Sequence, residues 1–101
     1  MSENGFASRG EGVFAMSGQL TFQTVPQFQE HANALLQDGA QPVTIDMQGI
    51  TLADSAGLAL MIEWLQLARA VKRQLVFTNI PEQVRHLIRV SGLERVLLGE
   101  A

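Results

Sequence analysis

Cysteine is absent from this chain of 101 residues, which excludes disulfides and thiolate metal sites and fits a reducing compartment. Long apolar runs are missing too. No stretch approaches the roughly 20 continuous apolar residues that a membrane-spanning helix needs, so direct membrane insertion is not expected. The first 18 residues, MSENGFASRGEGVFAMSG, lack a basic start followed by an apolar block, and no signal peptide is expected from them. An excess of positive charge is lacking as well. The formal net charge is −3, whereas a general nucleic-acid binder needs a basic surface. With 47% apolar and 17% charged residues, the chain reads as one small soluble, cytoplasmic domain. A second domain has no room. A domain of this size buries about two-thirds of its unfolded surface, enough for one core of modest stability.

The charge is unevenly spread. Residues 1–68 carry one basic residue, Arg9, and seven acidic ones, whereas residues 69–101 carry six basic and three acidic. Two readings are equally open: two faces of opposite sign that orient a partner, or cations placed near helix C-termini.

Strand-like and helix-like periods alternate along the chain. Residues 5–9 and 12–17 read as short strands around a Gly10-Glu11-Gly12 turn, with Phe14 and Met16 facing one side and Val13, Ala15 and Ser17 the other. Thr24 and Gln27 form a capping-box pattern that opens a first helix with Val25, Phe28, Ala32, Leu35 and Leu36 as its apolar stripe, ended by Gly39. Residues 43–46 are a brief strand running into a loop. A second helix spans about residues 55–72, with Leu60, Met61, Trp64, Leu65, Leu67, Ala68 and Val71 on one arc and Glu63, Gln66, Arg69 and Arg73 opposite. Leu58 and Ile62 lie at the border and are expected to be partly exposed. Residues 74–78 form another strand. Asn79 and Glu82 make a second capping box, and Val84, Leu87, Ile88 and Ser91 mark the inner face of a third helix stopped by Gly92. The order β-β-α-β-α-β-α predicts an α/β sandwich with a partly parallel sheet.

The segment DMQGITLADSAGL, residues 46–58, joins the end of a strand to the start of the most apolar helix. Sites of α/β sheets usually lie there, beyond the carboxyl ends of the strands. Asp54 and Ser55 stand where a helix leaves N–H groups unpaired, and Gly57 lets another surface approach the backbone closely. A phosphoryl group on Ser55 would add nearly two negative charges beside Asp54, enough to switch an interface. The plainer reading, favoured by spacing alone, makes Asp54 or Ser55 an ordinary N-cap.

The stretch VTIDMQGITLADSAGLALMIEWLQLARA resembles the core of STAS domains, the fold of anti-sigma-factor antagonists and of sulfate-transporter tails. The family's landmark is a short strand ending in Asp, a loop, then Asp-Ser-(Ser/Ala/Gly)-Gly-Leu opening a long helix. Asp46, Asp54, Ser55, Gly57 and Leu58 match it in order and spacing, and flanking matches extend the likeness over about residues 12–98. Within the family, Ser55-Ala56-Gly57 and Glu63-Trp64-Leu65 are most similar to MlaB-type subunits. These are free-standing STAS subunits of the ABC transporters that maintain lipid asymmetry in Gram-negative bacteria. The resemblance implies a STAS sandwich with a mixed sheet of about four to five strands and helices packed on it. It also implies a non-catalytic subunit at the cytoplasmic side of the inner membrane. That subunit would bind and support an MlaF-like ATPase, in a complex with permease and substrate-binding subunits. The residues it points to for partner binding are Asp54, Ser55, Ala56, Gly57, Leu58, Ile62 and Arg69.

One departure matters. In phosphorylated anti-sigma antagonists the modified serine is the second of Asp-Ser-Ser-Gly, and Ala56 stands at that position here. A methyl group accepts no phosphate. Ser55 is therefore expected to act as an unphosphorylated interface hydroxyl, with phosphorylation of Ser55 and an antagonist role as the alternative.

The other residues point to no chemistry. Trp64 lies mid-arc and reads as core. His31 and His86 sit on different helices with no second ligand at metal spacing, so both read as surface residues and no metal is expected. Asp-Ser-Ala-Gly is not the G-x-S-x-G elbow of hydrolases, and no base-plus-nucleophile pair is visible. Neither an enzyme nor a cofactor is expected. Arg85 and Arg89 read as a solvated face more than as a contact for an acidic patch or anionic head groups. Without its partner, an exposed apolar strip would favour a homodimer.

Overall fold

The computed structural model describes residues 4–37 and 42–99. The chain opens with an antiparallel hairpin of β1 (Gly5–Gly10) and β2 (Val13–Leu20). Gly10, Glu11 and Gly12 all take positive φ at its turn, a backbone that two glycines make accessible. Two short helices follow, α1 (Val25–Gln29) and α2 (Ala32–Gln37), then β3 (Val43–Ala53) and the long α3 (Ser55–Ala70). The last elements are β4 (Leu75–Thr78), α4 (Glu82–Val90) and α5 (Glu94–Leu98). The strands lie in the order β1-β2-β3-β4, with β2, β3 and β4 parallel. This is the mixed four-stranded α/β architecture expected.

One face of the sheet carries the core. Phe14, Met16 and Leu20 of β2 and Val43, Ile45, Met47, Ile50 and Ala53 of β3 are buried with Leu60, Met61, Trp64 and Ala68 of α3. Val84 and Ile88 of α4 and Leu97 of α5 close it. Trp64 is core, as its place on the arc predicts, and the Phe6 ring meets it edge-on at 5.7 Å.

Four expectations need correction. First, β3 does not stop at Asp46 but runs through to Ala53. β2 pairs with it up to Leu20 opposite Ala53, with irregularities at 15/17 and 18/19. Those bulges break the period of two, and the polar Gln48-Gly49 pair makes paired backbone look like loop. Second, the first helix is two. Its chain breaks at Glu30 and His31, where the His31 ring stacks on Phe6 at 4.6 Å instead of lying free on the surface. The predicted stop at Gly39 lies outside the described residues.

Third, neither capping box forms. Thr24 Oγ1 donates to Gln19 O (2.6 Å) and accepts from Thr21 N (2.9 Å), tying its own loop. Asn79 reaches Asp46, and Pro81 takes the N-cap position of α4. Fourth, the buried arc of α3 is rotated from the predicted one. Leu58 is 2% exposed, whereas Leu67 and Val71 are exposed. α3 packs against β3 and β4 as well as α1 and α5, and these neighbours decide which arc is covered. Ser91 is likewise exposed rather than inward.

Candidate functional site

The carboxyl ends of β2 and β3 meet the start of α3, and Asp54 organises the junction. One carboxylate oxygen accepts from Ala56 N (2.9 Å) and Gly57 N (3.2 Å), so Asp54 is the N-cap of α3. The other accepts from Phe22 N at 3.0 Å, across 32 positions of sequence. The backbone N–H of Asp54 donates to Leu20 O at 3.2 Å. One side chain therefore caps a helix and holds the loop after β2 against it.

Gly57 has a local reason. A Cβ there would stand 2.3 Å from Leu20 O and 2.9 Å from Leu20 Cγ. The surface that approaches Gly57 closely is the chain's own β2, not a partner. With Gly57 and Leu58 both buried, neither offers a side chain to a docked protein, and the expected Leu58–Ile62 strip is corrected on that point. Ser55 and Ala59 are exposed and Ala56 and Ile62 half-buried. Arg69 is exposed but separate: fourteen residues of helix place it about 21 Å from Ser55.

What spacing missed is two exposed apolar side chains on the segments that lead into this junction. Phe22 is 77% exposed and Leu52, at the end of β3, 42% exposed. Sequence pattern gives Phe22 no partner, because its neighbour Asp54 comes from a distant element. Gln83 was also missed. Its side chain grips both backbone groups of Ala53, accepting from Ala53 N (2.9 Å) and donating to Ala53 O (3.1 Å). This is a strand-like clamp from α4 that fixes the last residue of β3.

A second polar cluster lies on the sheet. Asp46 is buried and accepts from Gln48 N (2.9 Å) and Asn79 Nδ2 (3.2 Å), and pairs with Arg9. The Gln48 N–H and then the Arg9 guanidinium hold its carboxyl below the usual range, against the opposing effect of burial. Three segments far apart in sequence converge on this one carboxylate.

Grooves of about 240 and 530 Å³ lie toward the other end of α3, the first lined by β4 and α5, the second by Arg69, Lys72 and Arg73. Among the described residues no three metal-binding side chains gather, and no helix is long and apolar enough to cross a membrane.

The family model for "Mlab, STAS domain" matches residues 6–99. The chain belongs to the STAS-domain family. It is 23% identical over 82 residues to an anti-sigma-B factor antagonist of Staphylococcus aureus (strain NCTC 8325 / PS 47), a match over 81% of this chain and 76% of that one. Its fold is similar to that of the unphosphorylated anti-sigma factor antagonist SpoIIAA, with a TM-score of 0.71 at 18% identity, covering 94% of this chain and 85% of that one. A structure of the Pseudomonas aeruginosa diguanylate cyclase SiaD in complex with its activator SiaC also matches, with a TM-score of 0.58 at 16% identity, covering 95% and 86% of the two chains. The STAS landmark of the sequence, Asp54 to Leu58, thus coincides with the capped junction between sheet and α3.

Proposed function

We propose that this STAS domain is a non-catalytic docking module that controls a partner protein by binding it at the start of α3. The observation that carries the reading is the exposure of Phe22, Leu52 and Ser55 around a helix start whose own cap is already satisfied by Asp54. A capped helix end with apolar neighbours offers buried area and a fixed hydroxyl without further folding. A domain that binds one state of its partner better than another shifts the partner's equilibrium by that difference in affinity. No chemistry in the domain is needed for control.

The partner class we favour is the ATPase subunit of a phospholipid-transporting ABC complex at the inner membrane. The Mlab family match supports it, as does Ala56, which removes the hydroxyl from the position that phosphorylated antagonists modify. The antagonist relatives support a second reading, in which a serine kinase is the partner and Ser55 the acceptor. Co-expression with the ATPase subunit tests the first. A stable complex that Ser55→Arg abolishes is expected, since Ser55 is exposed and the substitution leaves the core intact. No complex, or one indifferent to Ser55→Arg, overturns it. Phosphate on Ser55 after incubation with an anti-sigma kinase and ATP, read by mass spectrometry, would establish the second.

A further inference from the structure

We propose that Phe22 is the apolar anchor of this docking face and that Asp54 positions it, so that the ATPase partner must offer an uncharged apolar pocket beside the start of α3. The inference rests on the docking reading above and adds the residue and the pocket chemistry.

Phe22 is the most exposed of the large apolar side chains among the described residues. An aromatic ring left in water on a mobile loop would lose much conformational freedom on docking. Phe22 is not on such a loop. Its own N–H is held by Asp54. Thr21 N donates to Thr24 Oγ1, Thr24 Oγ1 donates to Gln19 O, and Thr24 N and Val25 N both donate to Thr21 O. Thr24 itself is buried. The backbone that carries the ring is fixed on both sides before any partner arrives, and preorganisation of that kind preserves binding energy. Aromatic side chains are also the commonest anchors of interfaces.

The chemistry of the pocket follows from the neighbours. Gln23, Thr51, Leu52, Ser55 and Ala59 are exposed and uncharged. The one carboxylate among them, Asp54, has both oxygens engaged by backbone N–H groups. The exposed cations Arg69, in the last turn of α3, and Lys72, just past it, lie more than two Debye lengths from Ser55 at physiological salt. The nearest exposed carboxylate along α3 is Glu63, about 12 Å of helix from Ser55, so a pocket that receives the Phe22 ring itself meets no charged side chain, and the Phe22 contact should be insensitive to salt.

Asp54→Asn separates positioning from capping. Asparagine caps helices as well as aspartate does, but its amide nitrogen cannot accept the Phe22 N–H. The test is calorimetric titration of the purified chain with the ATPase subunit of its transporter. We expect Phe22→Ala to weaken binding by about tenfold or more. Asp54→Asn should weaken it several-fold in a chain that still folds, its melting temperature lowered by only several degrees through the lost Phe22 N–H bond and helix-end charge. Phe22→Met, which keeps the apolar bulk, should retain most of the affinity that Phe22→Ala loses. Val90→Ala, on α4 at 65% exposure, should change nothing. Affinity should hold within about threefold between roughly 0.05 and 0.5 M salt. Failure of the wild type to bind overturns the docking reading and the anchor with it. Wild-type binding that Phe22→Ala leaves intact, or that Val90→Ala weakens equally, overturns the anchor alone. An unaffected Asp54→Asn removes the positioning role, and a steep salt dependence removes the uncharged pocket.

Discussion

At position 57 a single hydrogen atom decides how closely the sheet approaches α3. The space a Cβ would need is occupied by the Leu20 carbonyl, which is backbone and cannot swing aside like a side-chain tip. Gly57→Ala must push β2 away from α3 and stretch the Asp54 N–H contact to the same carbonyl. We expect a loss of about 2–3 kcal/mol, as for other overpacked cores, read as a lower urea midpoint. A stability equal to the wild type would mean that the close approach is not required. Asp54 shows how far one residue can be read from sequence. Its capping role is local, three residues wide, and legible in the sequence as one of two candidates beside Ser55. Its hold on Phe22 spans 32 positions and was not. Leu58 was misplaced for a related reason: a helical wheel gives angles, while the neighbours decide which angle is covered.

Among elements, the end of β3 is the telling case. Ala53 is buried, bonded to Gln83 by both of its backbone groups and paired in register with Leu20. α4 in this way supplies hydrogen bonds to β3 seven residues beyond its last pair with β4, Asp46 with Thr78. Gln83→Ala leaves a buried N–H and C=O without those partners, at a cost of about 2 kcal/mol. Hydrogen exchange should show it first at the Ala53 amide, with protection lost there before the middle of β3 responds. Unchanged protection would show that the clamp is dispensable. In the sequence β3 looks short because its inward residues, Ile45, Met47, Ile50 and Ala53, change spacing from two to three at the bulges. The split between α1 and α2 was hidden because the apolar stripe from Phe28 to Leu35 continues across it. The His31 stack on Phe6, a contact with β1, accompanies the break.

The whole molecule is held across its sheet by Asp46, which joins β1 through Arg9, its own strand through Gln48 and the β4–α4 connection through Asn79. Its carboxyl is held below the ordinary value of 3.8, so the charged form is favoured by folding. The stability this contributes is fully present above the unfolded value and is lost as pH falls through the lower folded one. Asp46→Asn should therefore be less stable than the wild type at pH 7, and the gap should close as pH drops below about 4. Urea midpoints at pH 7 and pH 3 measure it, and a gap independent of pH would show that hydrogen bonding alone, without charge, does the holding. The exposed Arg9 guanidinium weakens the ion-pair share through solvent screening. At this scale the charge asymmetry of the sequence also acquires a place. Arg69 and Lys72 stand at the end of α3 opposite the docking face, away from Phe22 and Ser55.

The sequence by itself determined the alternation of strands and helices, the core of α3 around Trp64, a cap at Asp54 or Ser55 and the STAS landmark from Asp54 to Leu58. Each is carried by residues within a few positions of one another, where spacing and side-chain type suffice. The tertiary structure alone decided the length of β3, the burial of Leu58, the clamp of Gln83 on Ala53, the convergence on Asp46 and the display of Phe22. All of these depend on contacts between elements distant along the chain. Register, bulges and close backbone approach set such contacts, and none of the three has a local period that a sequence can display.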